Sequence, residues 1–282
     1  MVTLSFPTVN ALQMPETGGA AWPSVLRPLE EVLSGVCAAG FTQAGIDNFS
    51  VRDYLERAGD LGALRDLLVT LGLECSDVGV LRIGERETTV EGAASLSRLA
   101  AATGASICTT AMDLPPGPAA VETLRRCADV LAAGGVRMAL EFLPYSPLPT
   151  LRSARSVCAA VGWERCGLLI DSWMFFRGDN GFAELESVTA EEIGYVQFDD
   201  APEPVGADVA YESRHRRVLP GAGTFDLPRF SRAILDTGFD GVVSVEVLSK
   251  EFRGLEPVEQ GRAALTAAGS FWPVRTVEGV RT

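Results

Sequence analysis

The sequence predicts a single (β/α)8 barrel, and three observations carry the prediction. Short apolar runs alternate with longer segments whose apolar residues recur every three to four positions, from one end of the chain to the other. Eight such strand–helix pairs can be counted, the number a barrel of this kind requires. No GxGxxG fingerprint stands at the first strand-to-helix turn, which argues against an open, doubly wound sheet. A length of 282 residues, 47% of them hydrophobic and 22% charged, suits one domain over 1–282 with a large core.

The elements follow in order. LSFPTVNAL is the first strand and SVLRPLEEVLSGVCAAG its helix, ending in glycine at Gly40. FTQAGID precedes the helix DYLERAGDLGALRDLLVTLG. ECSDVGVL leads into VEGAASLSRLAAATG, and ASICTTAM into PAAVETLRRCADVLAAGG. The fifth pair is VRMALEFLP with LRSARSVCAAVG. CGLLIDSWMFF reads as the sixth strand, followed by a short, weak helix near AELESVTAEEIG. YVQFDDAP, the seventh strand, precedes an irregular segment, EPVGADVAYESRHRRVLPGAG. The helix DLPRFSRAILDTG comes next, with Asp226 as N-cap and Pro228 in its first turn. GVVSVEVLS is the eighth strand and VEQGRAALTAAGSFW the closing helix.

A net charge of −13 sets nucleic acid and anionic membranes aside as partners. No run of about 18 apolar residues exists to span a bilayer. The N-terminal stretch MVTLSFPTVNALQMPETGG lacks the basic and apolar regions of a signal peptide, so a cytoplasmic protein is expected. Six scattered cysteines without a CxxC pair predict reduced thiols rather than disulfides or a zinc cluster. The aromatic residues Trp22, Phe41 and Trp272 are expected in the core.

VRMALEFLP places an acid, Glu141, inside an otherwise buried strand, where an unpaired charge is costly. The same anomaly recurs with Asp171, Gln197 and Glu246, each late in an apolar run. These four come from strands 5 to 8, adjacent around the barrel, at the strand ends that carry chemistry in such folds. Three carboxylates meeting there repel one another unless a cation lies between them. Glu141, Asp171, Gln197 and Glu246 are therefore the expected ligands of one divalent ion. Oxygen donors with no Cys or His favour Mn²⁺ or Mg²⁺ over zinc, with Co²⁺ or iron tolerated. The competing reading of each acid alone is a salt-bridged or mouth-exposed residue, and repetition in consecutive strands weakens it. Asp199 and Asp200 compete with Gln197 at the seventh position: alternation puts Gln197 and Asp199 on one face and Asp200 on the other.

The chain resembles the xylose-isomerase-like TIM-barrel superfamily, of the sugar phosphate isomerase/epimerase type, along almost its whole length. The resemblance is most specific in ALEFLP, LLIDSWMFFRGDNG, YVQFDDAP, SRHRRVLPGAGTFDLPRF and GFDGVVSVEVLS. It implies that a Glu, an Asp, a His or Gln and a Glu bind one divalent ion, which matches the same four residues. The Gln variant and the SRHRRVLPGAG stretch are most similar to 3-dehydroshikimate dehydratases and inosose dehydratases. Arg217 then matches an arginine that contacts an anionic or hydroxylated part of the substrate. The family usually has a histidine three residues after the strand-6 aspartate. Here that residue is Met174, which neither transfers protons nor donates a hydrogen bond. With Trp173, Phe175 and Phe176 beside it, this corner of the substrate pocket is expected to be apolar. The only histidine, His215, is the candidate to take the missing role.

The expected function is a divalent-metal-dependent isomerase or epimerase acting on a small polyhydroxylated carbonyl compound. Glu141 and Glu246 would move the proton beside the carbonyl. A metal-dependent dehydratase of the 3-dehydroshikimate or inosose type is the alternative, because loss of a β-hydroxyl can follow the same deprotonation. A barrel that has lost catalysis and serves as a binding or partner subunit is the third reading, kept open by Met174. AP endonucleases share the superfamily, but a His-rich three-zinc site and a basic surface do not fit one histidine and a charge of −13. The acidic surface does not forbid a homodimer.

Overall fold

In a computed structural model that describes residues 1–16 and 22–274, eight parallel strands close into a barrel. The expected domain span 1–282 includes 17–21 and 275–282, which lie outside the described residues. The barrel strands are β1 (Thr3–Pro7), β2 (Gln43–Asp47), β3 (Glu74–Ile83), β4 (Ile107–Met112), β5 (Arg137–Glu141), β6 (Cys166–Asp171), β7 (Ile193–Gln197) and β8 (Val242–Ser244). Pairing of β1 with both β2 and β8 completes the ring. A short hairpin, Leu12–Gln13 with Ser24–Val25, stands outside it.

The helices are α1 (Leu29–Ala39), α2 (Asn48–Ala58), α3 (Leu61–Leu71), α4 (Arg86–Thr103), α5 (Pro118–Ala132) and α6 (Leu151–Val161). They continue as α7 (Ser172–Arg177), α8 (Phe182–Leu185), α9 (Val209–His215), α10 (Leu227–Asp236) and α11 (Pro257–Gly269). The period of two along each strand divides the barrel's packing. Met138 and Leu140 of β5, with Leu168 and Ile170 of β6, are fully buried in the main apolar core. The alternate residues Ala139, Leu169 and Tyr195 form a separate cluster on the inward side, on the same face as Glu141, Asp171 and Gln197. All six cysteines are free thiols and five are buried. Among the described residues, no helix is long and apolar enough to cross a membrane.

Several boundaries differ from the sequence reading, each for a local reason. The second helix divides into α2 and α3 because the Asp60 side chain accepts the Ala63 N–H at 2.8 Å and starts a new helix. The sixth strand stops at Asp171: its carboxylate accepts the Trp173 N–H at 2.6 Å, and the apolar run that follows becomes α7. The segment expected to be irregular after β7 contains α9, capped by Asp208. β8 leaves the ladder after Ser244, so Glu246 lies just beyond it. Phe41 and Trp272 are buried, but Trp22 is 68% exposed, its ring against Phe49 at the rim of the barrel. As expected, Gly40 ends α1, at φ 107°, and Asp226 caps α10.

Asp200 fastens the loop that brings Arg217 under the barrel mouth. Its carboxylate, 1% exposed, accepts the N–H groups of Ala201 (2.8 Å), Gly221 (3.1 Å), Gly223 (3.0 Å) and Phe225 (3.1 Å). Asp200→Ala removes the acceptor of four backbone N–H groups, most of them part-buried, and should lower unfolding free energy by about 2–4 kcal/mol, read as a shift in the denaturant midpoint. A midpoint within error of the parent would show that water replaces the carboxylate without loss.

Candidate functional site

Two two-residue staggers in the barrel ladder bring the four anomalous residues to one depth. Glu141 pairs with Leu169, two residues before Asp171 on the same face. Asp171 pairs directly with Gln197, and Gln197 with Ser244, two residues before Glu246. Glu141, Gln197 and Glu246 line a cavity of about 500 Å³ at the strands' C-terminal ends. Asp171 is fully buried beneath it.

One buried side chain organises this floor. Arg217, 1% exposed, directs Nη1 at Asp171 Oδ2 (2.8 Å), Asp199 Oδ2 (2.5 Å) and Glu246 Oε2 (3.1 Å). Its Nε donates to the Ser213 carbonyl at 2.8 Å and Nη2 to Ser213 Oγ at 3.2 Å. The Trp173 ring lies beneath the guanidinium, 5.8 Å from its carbon to the ring centroid. Ser172 Oγ donates to Asp199 Oδ1 at 2.9 Å, and Gln197 Nε2 to Glu246 Oε1 at 2.8 Å. Asp199 is thus an anchor for Arg217, and Asp200 an anchor for the loop.

The cluster is rich in negative charge. Glu141, Asp171, Asp199 and Glu246 surround one guanidinium whose crowded nitrogen carries only two hydrogens. Burial, with Asp171 adding to it and Arg217 opposing, raises the Glu246 carboxyl to about 7. Burial and then the charges of Asp171 and Glu246 push Glu141 well above the usual carboxylate range. Asp199 is raised by burial against the pull of Arg217. Burial alone would lower the Arg217 pKa, but Asp171, Asp199 and Glu246 more than reverse that.

Among the described residues, no group of three or more His, Cys, Asp or Glu side chains is already closed around a metal-sized point. The donor chemistry nevertheless fits a hard divalent ion. Gln197 Oε1 is buried without a hydrogen-bond partner, while its amide nitrogen is held by Glu246. An acceptor in that position lacks only a donor or a cation. The surplus of carboxylates supplies the charge. Glu141, Asp171, Gln197 Oε1 and Glu246 are the residues that would hold the ion.

The other expected contacts separate. Met174, 1% exposed, lines the cavity, as does Arg217. Trp173 supports Arg217 from below and does not line the cavity. His215 is 3% exposed and also absent from the lining: Nε2 meets the Pro15 carbonyl at 2.9 Å, and Tyr211 packs on its ring. Burial lowers its pKa. The histidine packs behind the loop and does not stand in for the residue at Met174.

Across the barrel lies a polar group that the sequence reading passed over. Asp77 lines the cavity and accepts the Tyr195 hydroxyl in a short hydrogen bond and Ser76 Oγ at 2.7 Å. Burial raises its pKa. Gly45 leaves room for it, since a Cβ there would strike the Asp77 carboxylate. Beside it Asp47 accepts Thr8 Oγ1 at 2.6 Å and caps α2. The signal was present: ECSDVGVL buries an acid in an apolar strand just as VRMALEFLP does.

A family model described as "Xylose isomerase-like TIM barrel" matches residues 42–268. A 3-dehydroshikimate dehydratase of Pseudomonas aeruginosa is 29% identical over 237 residues, 80% of this chain and 37% of that protein. An inosose isomerase of Bacillus velezensis is 31% identical over 146 residues, 51% of each chain. The chain therefore spans well under two thirds of these curated relatives. Among solved structures, an IOLI protein with a bound zinc atom superposes with a TM-score of 0.82 at 19% identity, covering 97% of this chain and 100% of that one. A D-allulose 3-epimerase from Methylomonas sp. gives 0.71 at 16% identity, covering 96% and 97%. Likenesses at these identities show the fold.

Two outcomes follow from the geometry. Arg217→Met leaves Asp171 and Asp199 buried without their cation and should destabilise the protein by about 3–5 kcal/mol in denaturant titration. A loss below about 1 kcal/mol would mean that the acids are neutral in the native state. A divalent ion binds the ionised acids, so Mn²⁺ binding near neutral pH should release protons. Its affinity should rise as pH climbs through about 7, where Glu246 ionises. Calorimetry in buffers of different ionisation enthalpy checks this, and pH-independent binding without proton release would contradict it.

Proposed function

The chain belongs to the xylose isomerase-like TIM-barrel family, and from that premise we propose that it is a divalent-metal-dependent isomerase or epimerase of small polyhydroxylated carbonyl compounds. One observation carries the reading: Glu141, Asp171, Gln197 and Glu246 reach one depth from consecutive positions around the barrel, three of them open to a single cavity. A divalent ion held there would polarise a carbonyl and stabilise negative charge on its oxygen.

The chain's own groups supply the proton chemistry. Glu141 has no hydrogen bond or ion pair to another described side chain, so its carboxylate faces the cavity uncommitted. Glu246 is held by Gln197 and Arg217 and titrates near 7, close to the pH at which a group serves as both acid and base. One carboxylate removes a proton from the carbon beside the carbonyl, and the other returns a proton. Return to the opposite face epimerises; return to the neighbouring carbon, with proton transfer between the oxygens, isomerises. Arg217 is a positioning residue, its donors taken by Ser213 and the acids. Met174 and Leu143 present apolar walls that exclude water from one side of the cavity.

A second reading, a dehydratase, is favoured by similarity to a 3-dehydroshikimate dehydratase over 80% of this chain. It requires a proton for the departing hydroxyl that Met174 cannot supply, and Glu246 or Asp77 would have to give it. Proton NMR in D₂O with Mn²⁺ separates the readings. Exchange or inversion beside the carbonyl of an inosose without loss of water marks the isomerase. Loss of water from 3-dehydroshikimate marks the dehydratase. Metal binding with neither reaction marks a barrel that serves as a binding or partner subunit.

Glu141→Gln and Glu246→Gln should each lower kcat by about 100-fold or more, with circular dichroism and thermal midpoint close to the parent's. Full turnover by Glu246→Gln would remove its acid–base role. Metal binding by calorimetry, one site in the parent and weakened in both Glu141→Ala and Glu246→Ala, should accompany these losses. Metal affinity unchanged in both variants would sink the metal centre itself.

A further inference from the structure

Among the described residues three arginines line the cavity, and two of them are committed. Arg82 pairs with Asp113, its Nε donating at 2.9 Å. Arg217 is neutralised by Asp171, Asp199 and Glu246. The third, Arg214, is part-buried, and among the described residues its guanidinium has no carboxylate and no hydrogen-bond acceptor. The nearest acid in sequence, Glu212, takes Arg216 instead, at 2.8 Å. In a chain of net charge −13, an uncompensated guanidinium facing a cavity needs a reason. Its place in the last turn of α9 makes the charge tolerable there, but does not explain its turn toward the cavity.

The surroundings are those of an oxyanion. Tyr145 also lines the cavity, and its Oη lies 3.3 Å from Ser213 Oγ. Arg217 Nη2 donates to that same Ser213 Oγ at 3.2 Å. Ser213 Oγ, which accepts from Arg217, can therefore donate its hydroxyl hydrogen to Tyr145 Oη, leaving the phenolic O–H free to point into the cavity. Ser213, whose Oγ meets the phenol, immediately precedes Arg214 in the chain, and Arg214 and Tyr145 line the same cavity. The backbone beneath is pinned: Arg253 Nη2 donates to the Arg214 carbonyl at 2.7 Å, and Arg217 N–H to the Leu248 carbonyl at 3.2 Å. Such anchoring lowers the ordering penalty of binding.

We propose that Arg214 and the Tyr145 hydroxyl form an anion subsite at the cavity mouth, which takes a carboxylate or phosphate of the substrate while its carbonyl end lies on the oxygen cluster below. The subsite rests on the proposed enzyme reading for the position of the carbonyl, and on its own geometry for the anion. It narrows the substrate class from neutral sugars to polyhydroxylated carbonyl compounds bearing an oxyanion. Glu141, at the end of β5 and lining the same cavity, opposes an anion placed deeper, which sets the charged end of the ligand outward. A guanidinium paired with an oxyanion forms charge-assisted hydrogen bonds, among the strongest available in a cavity.

The test is direct binding, independent of turnover. Shikimate, its neutral methyl ester and inorganic phosphate are titrated calorimetrically into wild type, Arg214→Gln and Tyr145→Phe, with and without Mn²⁺. Shikimate should bind about tenfold or more tightly than the ester, and the difference should collapse in Arg214→Gln and shrink in Tyr145→Phe. Phosphate binding that is lost in Arg214→Gln, with acid and ester alike, would support the subsite and assign it to a phosphoryl group. Equal binding of acid and ester with no phosphate bound, or acid binding unchanged in Arg214→Gln, overturns the proposal. If Arg214→Gln fails to fold, Tyr145→Phe decides alone: unchanged anion binding overturns the subsite. Anion selectivity without any Mn²⁺ site would sink the metal-enzyme reading and leave the subsite standing. An Mn²⁺ site without anion selectivity would do the reverse.

Discussion

The site depends on one guanidinium placed under three carboxylates. Arg217 comes from a loop, yet it is as buried as any core residue and ties the ends of β6 and β7 and the segment after β8 together. A buried ion pair is often no more stabilising than a hydrophobic contact of equal volume. Its value here is geometric. Removing the arginine would leave like charges facing one another in a dry floor, so the barrel mouth can close only with the loop docked. Asp200 docks it, through four backbone N–H groups.

That arrangement leaves the floor deliberately incomplete in charge. Arg217 answers some of the negative charge, while Glu141 and the carbonyl oxygen of Gln197 are left to the cavity. Burial, with the neighbouring acids adding to it, raises Glu141 and Glu246, and the same surplus of acids is the place a cation would occupy. The far wall is built differently. Asp77 and Asp47 are satisfied by hydroxyls and backbone amides from the chain itself, and so hold shape rather than charge. The cavity is thus acidic at the β5–β8 floor, and Arg214, without an acidic partner among the described residues, also lines it.

Much of this was legible in the sequence. Glu141, Asp171, Gln197 and Glu246 betray themselves because a polar residue in an apolar strand is expensive, and because the period of two fixes which neighbours share its face. Asp77 carries the same signal, partly concealed by Cys75 and Ser76, which make its strand look less apolar. His215 and Met174 were harder. A residue's type says what chemistry it can do, but a histidine at the end of a short helix, turned toward the Pro15 carbonyl, is not distinguishable in sequence from one turned toward a ligand. The run SWMFFR was equally opaque, since an apolar hexamer suits a strand or a helix until a carboxylate caps it.

By itself the sequence determined the eight-fold alternation of strands and helices, the inward face of each strand and the acidity of the floor. All three follow from local periodicity, which acts over a few residues and survives in the linear order. Only the tertiary structure decided which acids share Arg217, which of the described arginines at the cavity lacks an acidic partner, and that Trp22 stands in the open. Those outcomes depend on the ladder's stagger and on loop docking. Both join residues such as Asp171 and Arg217, or Tyr145 and Ser213, that lie tens of positions apart in the chain. No periodicity in the sequence encodes such a pairing; it follows from closing the ring.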